Sequence, residues 1–77
     1  MKILRYCWSP ERQTRLCDMV LTVTRETKTM LIARNRRNPR GGEYRFRKPS
    51  QFGNGMHIST VGKHERFSQY HYEMELE

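Results

Sequence analysis

No apolar stretch in this chain approaches the roughly 18 residues that a membrane-spanning helix requires, so a helical span is excluded. Residues 1–8 (MKILRYCW) hold no apolar core of the length a secretory leader needs. Cysteine is scarce. Cys7 and Cys17 are the only two, where a small secreted domain stapled by disulfides would carry four or more. Two thiols without a leader fit a reduced, cytosolic protein in which both fill core space. There is no internal repeat or tag, and a chain starting at Met1 reads as a complete small gene product. Acids are also few, 8 against 15 Lys and Arg, leaving a formal charge of +7 and a pI near 10.0. With 77 residues, 35% apolar and 30% charged, the chain is expected to form one small water-soluble domain (1–77). It has no room for a second core or a deep active-site cleft.

What the chain does have is alternation with a period of two. Leu4, Tyr6 and Trp8 share one parity with Lys2, while Ile3, Arg5 and Cys7 take the other. Met19, Leu21 and Val23 alternate with Val20, Thr22 and Thr24, and the pattern resumes over 28–34 (KTMLIAR) after a short polar gap. Two such runs predict a β-hairpin. Tyr44 and Phe46 point one way and Glu43, Arg45 and Arg47 the other. Met56, Ile58 and Thr60 form a weaker strand. In the last segment Tyr70, Tyr72, Met74 and Leu76 alternate with His71, Glu73, Glu75 and Glu77. Phe67, Tyr70 and Met74 also fit helical spacing there, but a helix would place Tyr72 and Leu76 less well, so the segment is read as strand.

One helical signal interrupts the strands. Ser9-Pro10-Glu11 offers a capping Ser, a Pro suited to the first helical position and an acid in the first turn. It predicts a short helix over 10–17, with Asp18 as a cap near a strand start. Breakers gather at Asn38-Pro39 with Gly41-Gly42, and over 49–55 (PSQFGNG), in loops too short to be interdomain linkers. The fold class that follows is mainly β: a small antiparallel sheet or partly open barrel of five to six strands. Pairing of the first and last strands would bring Lys2 and Arg5 near the glutamates of the tail.

The positive charge is concentrated. Residues 34–48 hold seven cations (Arg34, Arg36, Arg37, Arg40, Arg45, Arg47 and Lys48) and one acid, Glu43, a balance of +6 that leaves +1 for the rest. So dense a cluster repels itself unless a polyanion or an acidic partner relieves it. Eleven of the fifteen cations are Arg, whose guanidinium forks pair with phosphate or carboxylate and stack on flat rings. The loop NRRNPRGG would tip a hairpin whose return strand carries Arg45 and Arg47 on the face opposite Tyr44 and Phe46. Those two rings are read as core, and would stack on single-stranded bases only if exposed. A single Arg40-Gly41-Gly42 triplet is similar to RNA-binding RGG tracts.

Catalysis finds little support. His57, His64 and His71 stand seven residues apart and the two cysteines ten, and neither spacing matches a zinc pattern. His64 beside Glu65, or His57 near Ser59, is not held by any motif of a nuclease or hydrolase. Gly41-Gly42 and Gly53-Asn54-Gly55 lack the spacing of a phosphate-binding loop. The sequence calls for no catalytic residue, no metal and no cofactor.

Residues 23–29 (VTRETKT), followed by 44–48 (YRFRK) and then glycines, resemble a loose group of small phage-encoded proteins in which a VTKT-like strand pairs with a strand carrying an RFRK-like motif. The likeness covers about 23–55, and this chain departs from it in the long, Arg-rich connection between the two motifs. The resemblance implies a β-hairpin core and a phage origin, and it transfers no activity and no functional residue. Small phage proteins of this sort commonly take over or block a host machine.

Two functions follow as expectations. The first is a non-enzymatic basic protein contacting nucleic acid, DNA or RNA, through the hairpin 34–48. There Arg36, Arg37 and Arg40 engage phosphates from the tip, Arg34 flanks them, and Arg45, Arg47 and Lys48 act from the strand. The alternative is an anti-defence inhibitor or modulator of a host enzyme, of RNA polymerase, nuclease, CRISPR or restriction type. It would use the same basic surface, with exposed Tyr or Trp side chains as anchors. Either would act in the cytoplasm of a bacterial host, without a membrane. Exposed strand edges leave a homodimer open. A metal-assisted nuclease ranks third.

Overall fold

The computed structural model describes residues 1–62 and 69–76. Six strands form one antiparallel sheet: β1 (Lys2–Ser9), β2 (Thr14–Glu26), β3 (Met30–Asn35), β4 (Tyr44–Arg47), β5 (Met56–His57) and β6 (Tyr70–Glu75). Their spatial order is β4-β3-β2-β1-β6-β5. The protein is mainly β, as the alternation indicates, with no helix among the described residues. The two motif strands of the phage resemblance are not neighbours, because β3 runs between β2 and β4.

The inner face follows from the register. Ile3 stands opposite Leu21 on β2 and opposite Met74 on β6. Leu31 and Ala33 meet Phe46 and Tyr44 across β3 and β4. These residues share one parity, so the sheet curls around them to bury a core of Ile3, Leu21, Leu31, Ala33, Phe46, Ile58, Tyr72 and Met74. Phe46 meets Tyr72 edge-on with ring centroids 5.1 Å apart. The segment after β5 ties the two ends of the sheet together. Ile58 N–H donates to the Tyr72 carbonyl (3.1 Å), Arg47 N–H to that of Ser59 (2.9 Å) and Val61 N–H to that of Arg45 (2.8 Å). Phe46 and Thr60 form an isolated bridge at this seam, where an edge strand would otherwise expose its polar backbone.

Several expectations are corrected. Residues 10–17 are not helical: 10–13 form the turn of the β1–β2 hairpin, and Cys17 lies within β2. Pro and Glu after a Ser suit a β-turn as well as a helix start, and strand pairing on both sides decides between them. Gln13 takes φ 55° to close the turn, and its Nε2 donates to the Pro10 carbonyl at 2.8 Å. Asp18 is not a cap. Arg5 pairs with Met19 and Tyr6 with Cys17, so Asp18 is the extra residue of a β-bulge in the middle of β2. β1 and β6 do pair, and Lys2 faces Glu75, but Arg5 faces Tyr72 and bonds to Asp18 rather than to the tail. Neither cysteine fills the core: both are free, Cys7 half-buried and Cys17 exposed. They point to opposite faces of the hairpin, since Cys17 opposes Tyr6 and Cys7 opposes Leu16. Of the last segment, Tyr72 and Met74 are buried, whereas Leu76 lies past the strand end and is exposed.

β2 is the spine. At about 3.3 Å per residue its 13 residues span about 40 Å, close to the 39 Å long axis of the molecule. β3 begins to pair with it only at Leu21, and β6 leaves β1 at Cys7. Beyond those points the ends of β1 and β2 continue as a two-stranded arm.

Candidate nucleic-acid interface

The outward parity of β2, β3 and β4 carries the site. Thr22 opposes Arg34, Arg25 opposes Ile32, Ile32 opposes Arg45, and Met30 opposes Arg47. Residues directly opposite in antiparallel strands share a face, so Arg25, Arg45 and Arg47 project together from the convex side. Ile32 belongs to this outer face, yet it is only 1% exposed. Arg25 and Arg45 stand directly opposite it on the two neighbouring strands, and both are exposed. Thr24 is the extra residue of a second bulge, and its Oγ1 donates to the Ile32 carbonyl at 3.3 Å. That bulge turns Arg25 onto the same face as Arg45.

The seven cations of the basic window divide into two sets. Arg34 is bound into the protein: its Nη1 donates to the Gly41 (2.7 Å) and Pro39 (3.1 Å) carbonyls, and its Nη2 to Glu43 Oε1 (2.9 Å). It holds the 36–43 loop to the end of β3, which makes it a loop organiser. Lys48 pairs with Glu26 and donates to the Thr27 carbonyl at 3.2 Å, fastening β4 to the β2–β3 turn. Arg36 directs Nε to Thr22 Oγ1 at 3.2 Å. Arg37, Arg40, Arg45 and Arg47 are exposed, and no side-chain hydrogen bond or ion pair engages their guanidinium groups among the described residues. Arg25 is in the same condition, and the sequence reading missed it. Its signal was its place in the β-branched run before the hairpin, but the bulge at Thr24 hid which face it takes.

Tyr44 is half-buried against the core and Phe46 fully buried, so neither ring faces a ligand on this surface. Beside the Arg-rich loop, Arg36, Arg37 and Asn35 line one wall of a groove of about 440 Å³ whose other wall is Cys17, Met19 and Val20 of β2. The opposite flank of the sheet has the other sign. Glu73 and Glu75 lie on the outer face of β6, where Glu73 Oε2 is 2.8 Å from His71 Nε2. His71 stacks on His57 at 4.9 Å. No cluster of three or more potential metal ligands exists among the described residues, and His64 and Glu65 lie outside them.

The inner end of the sheet is closed by charge. Arg5 donates from Nε and Nη2 to both oxygens of Asp18 at 2.9 Å, and its guanidinium lies 4.0 Å above the Tyr70 ring. Hydrogen bonding to Asp18 raises the Arg5 pKa further above its usual value, although burial opposes it. Burial also pushes the Tyr72 phenol up, against the lowering influence of Arg5. Tyr6 is raised by burial first and then by Glu73. Arg5 and Tyr72 take the inner parity of Ile3, whereas Tyr6 belongs to the outer one. No protein-family model matches the chain, and no curated protein or solved structure matches it.

Proposed function

We propose that this protein is a non-enzymatic nucleic-acid-binding protein whose convex β2–β3–β4 face grips the phosphate backbone. Arg25, Arg45 and Arg47 act from the strands, and Arg37 and Arg40 from the loop that Arg34 organises. The observation that carries the reading is the convergence of Arg25, Arg45 and Arg47 on one outer face with no partner among the described residues. Unrelieved like charge on one face favours a polyanion, and the acidic flank at Glu73 and Glu75 would orient its approach. The resemblance over 23–55 supports a phage origin and action in the cytoplasm of a bacterial host.

The same arginines would also fit an acidic protein surface, the reading as a modulator of a host or defence enzyme. A pull-down from bacterial lysate with the tagged protein, half of it treated with nuclease, separates the two. Retention of nucleic acid, or of many proteins that vanish on nuclease treatment, supports the first reading. One protein retained in both halves supports the second. Nothing retained in either half refutes both.

A further inference from the structure

Trp8 is the chain's single tryptophan, and at 51% exposed it is the most exposed large hydrophobic side chain among the described residues. It sits on the two-stranded arm, beyond the last pairing of β1 with β6. Arg15 lies directly opposite it on the same face, and Arg12 follows in the turn. A large flat ring is thus held half in water beside a cation. No ring contact engages the indole among the described residues.

We infer that the arm is a stacking platform for unpaired bases: Trp8 takes a base of a single-stranded nucleic acid on its indole face while Arg15 and Arg12 hold the adjoining phosphates. This rests on the nucleic-acid reading and sharpens it, from any polyanion to single strands. The path along the face is continuous. From the Trp8–Arg15 pair it passes Tyr6 and Cys17, crosses the groove bordered by Arg36 and Arg37, and reaches Arg25 and Arg45. Arg15 and Arg25 are ten residues apart on β2, about 30 Å, enough to follow several nucleotides. A duplex keeps its base faces stacked on one another and offers Trp8 nothing to cover. Only a single strand uses both ends of the stripe.

Because Trp8 is the sole tryptophan, its own fluorescence reports the contact. The protein is titrated with oligothymidylate and with a duplex of equal length, and binding is followed separately by the anisotropy of labelled strands. Saturable quenching of Trp8 by the single strand, and little by the duplex, is expected. Trp8→Ala should weaken single-strand binding by about five- to a hundredfold with the salt slope unchanged, since stacking releases no counterions. Trp8→Phe should keep most of the affinity, and circular dichroism of each variant confirms that the sheet is intact. Single strands that bind with no change in Trp8 emission, and equally well to Trp8→Ala, would overturn the platform while leaving the nucleic-acid reading standing. Duplex binding as tight as single-strand binding, with equal quenching, would also overturn it. Binding of neither probe would remove the nucleic-acid reading and the platform with it.

Discussion

Replacing Arg25, Arg45 and Arg47 together by Gln removes the charge of the convex face while keeping the stems that stand beside Ile32. Each phosphate neutralised on a single strand contributes about 0.7 to the slope of log affinity against log salt, so three contacts contribute about 2. Extrapolated from 1 M to 0.1 M salt, that slope amounts to a loss of about a hundredfold, or about 2.7 kcal/mol. Stability should stay within about 0.5 kcal/mol, because the three side chains are exposed. The assay is anisotropy of a labelled oligonucleotide across a salt series, with urea unfolding of the same variant as control. A slope that falls by about 2 with unfolding unchanged is the expected pair of results. An unchanged slope with intact folding would mean that these arginines touch no phosphate, and the proposed interface would be wrong.

Other outcomes follow from the packing. Phe46→Ala should cost about 3–5 kcal/mol, most of the margin a domain this small commands, so its β circular dichroism should be lost near room temperature. A folded Phe46→Ala that lost only nucleic-acid binding would instead make the ring a ligand contact. Arg34→Ala should free the 36–43 loop and accelerate amide hydrogen exchange at Asn38 and Gly41, whose N–H groups donate within the loop. Global stability should fall by only about 1 kcal/mol, since Arg34 and Glu43 are partly exposed. Because burial raises the Tyr72 phenol, the neutral ring contributes its full stability below the unfolded value near 10, and that contribution is lost as pH climbs through the higher folded value. Urea midpoints should therefore decline above about pH 10, and Tyr72→Phe should flatten part of the decline, Tyr6 accounting for a remainder. An identical profile in Tyr72→Phe would refute this.

Strand by strand, much was legible. Ile3, Leu21, Leu31, Phe46, Tyr72 and Met74 stand at alternate positions in their runs, and a half-buried strand needs only that period to choose its inner face. The pairing of β1 with β6 was also open to inference, although Arg5 defeated its details. Arg5 shares the inner parity of Ile3, and it is accommodated there only because the bulge at Asp18 turns a carboxylate toward it. Bulges leave no mark in a single sequence, since they reflect a mismatch between two strands rather than a property of one. The same reason hid Arg25, whose face is set by the bulge at Thr24.

The division of labour in the basic window was out of reach for a different cause. Arg34, Arg37, Arg40, Arg45 and Arg47 are chemically alike, and +6 over 34–48 describes them all equally. Only the folded loop brings the Gly41 and Pro39 carbonyls to Arg34, and only the β2–β3 turn brings Glu26 to Lys48. The helix expected over 10–17 failed because Ser-Pro-Glu serves a turn as readily as a cap, and β1 had a partner strand waiting. By itself, the sequence determined the fold class, the alternation of most strands and the region of excess charge, since these depend on local period and composition. The tertiary structure decided which arginines are spent, which remain to bind, and that Trp8 stands out on an arm, because those depend on register between strands distant in the chain.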